Sequence, residues 1–387
     1  MRSRWASLAL VGPAFAVSIG YMDPGNWATD LAAGAYGYRL LWVVLASNAI
    51  AIVLQLAVTQ YTLQSGQELG VAIARRWPKL RTTFWALFQG AAIATDLAEF
   101  TGIVLGLQLL FHLTMPLAIV VGFAATFALL SLGLSRSKRL EYTLMGIVGA
   151  ICLAFALQLR LLHVDPSAVA LGALWPTVPD HAALFVLVGI VGATVMPHNL
   201  FLHSALVRRS AQTSSVVTAR FFARETFVAL NIAALVNAGI LVVGAALPGR
   251  TGTIEQAFVE IGANLGAPVA LAFAAALLLS GLAASTTATM SGDYIFAAFS
   301  SWSIPASARR FITLLPAALT LLAGVSPSLV LVWSQVALAL VLPAAIVPLI
   351  ILMAQMRVAR SLLAGIYVAA GICVAFDAIL LLQPLLR

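Results

Sequence analysis

From residue 7 to residue 385 the chain is a succession of apolar stretches, each long enough to cross a bilayer. About eleven can be marked. They lie near 7–35, 40–66, 84–111, 115–134, 141–162, 182–206, 219–247, 266–300, 309–324, 328–354 and 361–385. A chain of 387 residues that is 62% hydrophobic and 9% charged cannot hide that much apolar surface in water. In lipid the backbone must satisfy its own polar groups, which leaves a polytopic, all-α membrane protein as the expected fold class. The first stretch is too long for a cleavable signal and lacks a small-residue cleavage site, so it reads as a retained span.

The net charge of +8 would point to nucleic acid in a soluble protein; here its distribution points to the bilayer. With the N-terminus inside, 17 of the 21 Lys and Arg fall on one side: Arg2, Arg4, Arg75, Arg76, Lys79, Arg81, Arg136, Lys138, Arg139, Arg208, Arg209, Arg220, Arg224, Arg309, Arg310, Arg357 and Arg360. Only Arg39, Arg160, Arg250 and Arg387 fall on the other. The positive-inside rule then gives a multi-pass protein of the cell (inner) membrane with a cytoplasmic N-terminus and an external C-terminus, which needs an odd number of spans. No nucleic acid, protein partner or cofactor is called for. The longest polar connections, about 67–83, 163–181 and 207–218, leave no room for a soluble domain. Trp77-Pro78-Lys79 reads as a basic cytoplasmic turn, and 163–181, with Pro166, Pro176 and Pro179, as an extended external loop. Cys152 and Cys373 lie in separate spans and read as packing residues, with no disulfide or zinc spacing.

Within the first span, residues 22–26 read Met-Asp-Pro-Gly-Asn. A carboxylate in hydrocarbon costs several kcal/mol, and a span broken at Pro-Gly leaves carbonyls unpaired. Such a defect persists if something binds there. A weak internal repeat supplies a counterpart: with Pro24 laid over Pro197, Asp23 falls opposite Met196, Gly25 opposite His198 and Asn26 opposite Asn199. The breaks sit in the first and sixth spans, so the two halves run in opposite orientation. Paired broken helices in inverted halves point to a transport site at the midplane. The expected organisation is one transmembrane domain over 1–387, with repeats at about 7–162 and 182–354 and an extra helix at about 361–385.

The chemistry of the breaks suits a cation. Asp23 offers a hard anionic oxygen, Asn26 a neutral one and Met196 a soft thioether, and the unwound segments add backbone carbonyls near Gly20 and Ala193. Oxygen alone would suit Mg²⁺ or Ca²⁺; one thioether tilts the preference toward Mn²⁺ and Fe²⁺. Met196 in isolation would read as core filler, but its register opposite Asp23 and beside a helix-breaking proline favours a ligand.

The segments 12–30 (Gly-Pro-Ala-Phe-Ala-Val-Ser-Ile-Gly-Tyr-Met-Asp-Pro-Gly-Asn-Trp-Ala-Thr-Asp) and 192–204 (Gly-Ala-Thr-Val-Met-Pro-His-Asn-Leu-Phe-Leu-His-Ser) closely resemble the Nramp family of divalent-metal transporters, above all its bacterial proton-coupled manganese importers. The likeness extends to Ala-Thr-Asp-Leu-Ala-Glu-Phe (94–100), Ala-Arg-Arg-Phe-Ile-Thr-Leu-Leu-Pro (308–316) and Ser-Gln-Val-Ala-Leu (334–338), and so covers nearly the whole chain. The resemblance implies a LeuT-type fold, a 5+5 inverted repeat with helices 1 and 6 broken. It implies metal held by Asp23, Asn26, Met196 and the Ala193 carbonyl, with Gly20 contributing in the outward-open state and Gln335 on occlusion.

Asp96 and Glu99 are i and i+3 on one face of the third span. Two carboxylates in an apolar helix pair with cations or take up protons. One reading is a structural ion pair with Arg309 or Arg310; the other is a proton relay tuned by an arginine. The resemblance implies the relay, through Asp96, Glu99, His198 and Arg310, entered at Asp23. Imidazole exchanges protons nearest neutral pH, so His198, two residues past Met196, fits a proton or gating role better than ligation. His203 reads as packing or gating the inner vestibule, and Asp30 as a helix-end or vestibule charge, not a ligand. Many bacterial relatives carry a glutamate seven residues before Asp96, where this chain has Gln89; an amide carries no proton, which implies a shorter network around Arg310.

Two other Nramp-type cargoes, Mg²⁺ and trivalent ions, go with members that lack the binding-site methionine, whereas Met196 is present. A LeuT-type symporter of a small organic substrate would explain the breaks, but Asp23 would repel a substrate carboxylate. A membrane-embedded enzyme would use Asp, Glu and His for acid–base work. The sequence holds no nucleophile–base pair, HExxH helix, phosphate-binding glycine loop or cofactor motif for it. The expected activity is import of Mn²⁺ or Fe²⁺ coupled to protons by alternating access.

Overall fold

The computed structural model describes residues 12–131, 138–213, 218–250 and 252–382. Residues 7–11 of the first expected span, 132–134 of the fourth and 383–385 of the last lie outside the described residues, as do Arg2, Arg4, Arg136 and Arg387. Among the described residues the regular structure is helical throughout.

The first span is broken where the sequence places the break. Helix α1 (Pro13–Ser18) passes into a 3₁₀ turn (Gly20–Met22), Asp23 is extended (φ −69°, ψ 166°), and α2 (Pro24–Gly34) begins at the next residue. Asp23 caps α2 through its side chain, and Pro24 at the first helical position needs no amide partner, so the residue that closes the 3₁₀ turn also starts the next helix. Further along come α3 (Leu41–Ser65), stopped by Gly66 in the left-handed region at φ 65°, and a short amphipathic α4 (Leu69–Arg76). The basic turn Pro78–Leu80 leads into α5 (Arg81–Phe111), followed by α6 (Met115–Ser131) and α7 (Lys138–Leu161).

The connection at 163–181 is not extended throughout. It contains α8 (Pro166–Leu174), because Asp165 caps the helix at Ser167 N (2.9 Å) and Pro166 sits at its first position. The same Asp-Pro pairing that restarts the helix at Asp23-Pro24 starts this one. The sixth span is then broken into α9 (His181–Thr194) and α10 (Pro197–Thr213), with Val195 out of helical conformation (φ −105°, ψ 67°). After it follow α11 (Ala219–Ala246), the amphipathic α12 (Ile254–Leu265), α13 (Ala267–Phe299), α14 (Ala306–Leu322), α15 (Pro327–Ala354) and α16 (Arg360–Leu382).

Counting α9–α10 as one, seven of these elements are long and apolar enough to cross a membrane. The other four expected spans coincide with the broken pair α1–α2, with α6, with α7 and with α14. Helix α5 packs against α13, α14 and α15, and α2 packs against α9, α11 and α15. Since lipid tails are as apolar as leucine, such contacts depend on close approach at small residues. Gly102 of α5 is one: a Cβ there would lie 2.1 Å from the ring of Pro24. Helix α16 lies to one side, against α3, α9 and α15. Cys152 and Cys373 are both free thiols.

Candidate functional site

The two breaks face each other. Asn26 Nδ2 donates to the carbonyl of Ala193, the next-to-last residue of α9 (3.0 Å), so the start of α2 is tied directly to the end of α9. On the other side of the pair, a Cβ on Gly20 would lie 2.7 Å from Asn199 Nδ2 in α10. Met196 is buried in the second break, and its Sδ accepts from Asn199 Nδ2 at 3.5 Å. Gln335 of α15 reaches both breaks. A Cβ on Gly25 would lie 1.9 Å from Gln335 Nε2, and one on Gly192 would lie 1.9 Å from the Gln335 carbonyl. Glycine is the residue that leaves room for this amide at each position.

Asp23 divides its two oxygens. Oδ1 accepts from Asn26 N (2.8 Å) and Asn26 Nδ2 (2.7 Å), while Oδ2 is buried with no hydrogen-bond partner among the described residues. A buried carboxylate oxygen without a donor is costly in a bundle of apolar helices, and a cation would satisfy it. Asn26 Oδ1 is held by Asn237 Nδ2 of α11 (3.1 Å), which also donates to the Tyr21 carbonyl (2.8 Å); Ser280 of α13 donates to the Met22 carbonyl (2.5 Å). The expected metal residues Asp23, Asn26, Ala193, Met196, Gly20 and Gln335 are thus gathered around the two breaks.

The acidic pair lies on α5, next to this site. Arg310 of α14 forms a hydrogen-bonded ion pair with Asp96, bonds the hydroxyl of Ser285, and stands 3.6 Å from Glu99 Oε2. All three charged side chains are buried. Arg309 departs from the expected group: it pairs with the half-exposed Asp293 and lies over the ring of Phe296, 4.5 Å from its centroid. The reason is helical geometry, since adjacent residues of α14 point about 100° apart. His198 Nδ1 lies 3.0 Å from the hydroxyl of Thr95, the residue before Asp96, and its carbonyl accepts from Ser291 (2.7 Å). Thr95 therefore links the second break to the acidic helix. Gln89 is only partly buried on α5 and takes no part in the Arg310 group.

His203 is buried on α10, with Nδ1 2.5 Å from Gln55 Oε1; Gln55 Nε2 in turn donates to the Tyr21 hydroxyl (2.7 Å). That chain joins α10, α3 and the first break. Asp30 is not at a helix end. It sits inside α2, four residues before its last, 1% exposed. Sequence inspection missed Asn237, Gln55, Ser285 and Thr95. Asn237 and Gln55 had a signal, being amides in otherwise apolar spans; the two hydroxyls had none, because Ser and Thr are tolerated anywhere in such helices.

The profile of the family described as natural resistance-associated macrophage protein-like (Nramp) matches residues 14–386. A divalent metal cation transporter MntH of Deinococcus radiodurans is 40% identical over 366 residues, 92% of this chain and 84% of that protein. Among solved structures, a manganese transporter of Eremococcus coleocola superposes with a TM-score of 0.83 at 29% identity, covering 98% of this chain and 87% of the other. Mhp1, a nucleobase-cation-symport-1 family transporter, matches with a TM-score of 0.61 at 17% identity over 88% of this chain and 77% of its own, a likeness of fold alone.

Proposed function

We propose a transport function on one premise: the chain belongs to the Nramp family. The protein imports divalent transition-metal ions, Mn²⁺ and Fe²⁺, coupled to protons by alternating access. It is a membrane protein of LeuT-type fold, a single transmembrane domain with repeats at about 7–162 and 182–354 and an added helix at about 361–385. The distribution of basic residues supports a cytoplasmic N-terminus and a C-terminus outside the cell membrane.

One observation carries the proposal. The bond from Asn26 to the Ala193 carbonyl clamps the two breaks together, and beside it Asp23 Oδ2 is left without a donor. Asp23, Asn26, Met196 and the Ala193 carbonyl then form the metal ligands, Gly20 adds its carbonyl when the site opens outward, and Gln335 closes on the ion from α15. Hard oxygen with one thioether favours Mn²⁺ and Fe²⁺ over Mg²⁺ and Ca²⁺. Protons travel from Asp23 by way of His198 to Asp96 and Glu99, with Arg310 holding the carboxylates, and His203 gates the cytoplasmic side.

The test is uptake by proteoliposomes, with Mn²⁺, Fe²⁺, Mg²⁺ and Ca²⁺ in competition and internal pH recorded together. Asp23→Ala is expected to abolish Mn²⁺ uptake; wild-type uptake by that variant would sink the assignment.

A further inference from the structure

The candidate ligand set carries one formal negative charge, on Asp23, whereas the ion it holds carries two positive ones. The balance has to come from elsewhere in a region that water does not screen. The Arg310 group offers a carboxylate in excess, but its two acids already share one guanidinium. Asp30 shares nothing. It is 1% exposed, neither carboxylate oxygen has a hydrogen-bond partner, and it makes no ion pair among the described residues.

Its position is directed. It lies seven residues beyond Asp23, the cap of α2, which is two helical turns and about 10 Å further along the axis. The turn between them holds Trp27, fully buried, whose ring meets Phe155 at 4.8 Å and Phe273 at 5.2 Å between centroids. The intervening medium is therefore aromatic and dry, and a charge on Asp30 acts on the site with little loss to water.

We propose that Asp30 is the second negative charge of the metal site, a remote counter-charge that raises affinity for a divalent ion without touching it. A buried carboxylate with no partner keeps its proton, and the arriving dication is the charge that draws it off, so the negative charge on Asp30 forms as the ion binds. Because the attraction scales with the ion's charge, the affinity gained by a divalent ion is the square of that gained by a monovalent one, so Asp30 also separates the two classes. The inference rests on Asp23 being a metal ligand.

The experiment is calorimetric titration of the purified full-length protein with MnCl₂, in wild type, Asp30→Asn, Asp30→Glu and Asp23→Ala, with melting temperatures measured alongside. Attraction across about 10 Å at an effective dielectric of about 20 predicts that Asp30→Asn weakens Mn²⁺ binding by between about a hundredfold and a few hundredfold. Asp30→Glu, which keeps the charge, restores most of it. Wild-type affinity in Asp30→Asn overturns the inference, as does a loss in Asp30→Asn that Asp30→Glu repeats in full, since shape would then be the cause. Should Asp30→Asn melt early, Asp30→Ser provides a second neutral side chain under the same criteria. Asp23→Ala separates the two levels: if it abolishes binding while Asp30→Asn leaves it intact, only the counter-charge falls, and if it binds as wild type the ligand assignment falls with it.

Discussion

Removing Arg310 is the sharpest test of what holds α14 to α5. Its guanidinium is the one cation among the described residues that pairs with both Asp96 and Glu99, and all three side chains are buried. At the 3.6 Å separation from Glu99, an effective dielectric of about 20 gives an attraction of about 4–5 kcal/mol. Breaking a buried pair by removing one partner costs about 3–5 kcal/mol, most of it the penalty of a stranded charge. Arg310→Ala is therefore expected to destabilise the protein by about 3–5 kcal/mol in mixed-micelle unfolding. Adding Asp96→Asn removes one of the stranded acids, so the double variant should lose less than the sum of the singles, with a coupling energy of about 1–3 kcal/mol. Strict additivity would refute the pairing as a source of stability, and a single-variant loss under about 1 kcal/mol would show that water reaches these groups.

Four further outcomes are expected. Met196→Ala weakens discrimination against Ca²⁺ and Mg²⁺ more than it lowers Mn²⁺ transport, measured by competitive uptake; unchanged competition by Ca²⁺ would mean that the sulfur never meets the ion. Asp96→Asn leaves some Mn²⁺ flux but uncouples it from proton movement, measured with an internal pH dye; an unaltered pH dependence would remove Asp96 from the relay. Asn237→Ala frees Asn26 Oδ1 and the Tyr21 carbonyl, at a cost of about 1 kcal/mol per lost hydrogen bond, and is expected to weaken Mn²⁺ binding through misplacement of Asn26. Asp23→Asn keeps an oxygen to cap α2 and should melt near the wild-type temperature yet lose uptake, whereas Asp23→Ala loses the cap as well, worth about 1 kcal/mol.

The helices and the breaks were legible because bilayer physics writes them into short windows of sequence. Twenty apolar residues announce a span, and Asp-Pro-Gly announces its interruption. The alignment sets Asn26 against Asn199 and Asp23 against Met196, whereas the residues that meet across the breaks are Asn26 with Ala193 and Gly20 with Asn199. What could not be read was which side chain faces which across the bundle. Arg309 and Arg310 are neighbours with the same chemistry, and only the rotation of α14 sends one to Asp293 and the other to Asp96. Asp30 looked like a charge near a helix end because its surroundings in sequence are small and apolar; its burial comes from α9, α11 and α15 packing around α2. At 163–181 three prolines read as extended chain, but Pro166 alone of them follows a capping aspartate, and the helix at 166–174 starts there.

In a bilayer the polar contacts, more than apolar packing, decide where one helix sits on another, because leucine gains little by exchanging a lipid tail for a neighbouring helix. The hydrogen bonds of this site therefore describe what must move. Asn26 holds α2 to α9, Asn237 holds both Asn26 and the first break to α11, and Tyr21 reaches His203 of α10 through Gln55 of α3. Each is a side-chain hydrogen bond across the gap between elements, so its acceptor can exchange it for an ion and its donor for water at modest cost. Asp23 is placed to make that exchange without unravelling the helix it starts. Its Oδ1 accepts from both amides of Asn26 while Oδ2, the oxygen proposed to meet the ion, is free of them, so on that proposal the cap of α2 would survive metal binding and release.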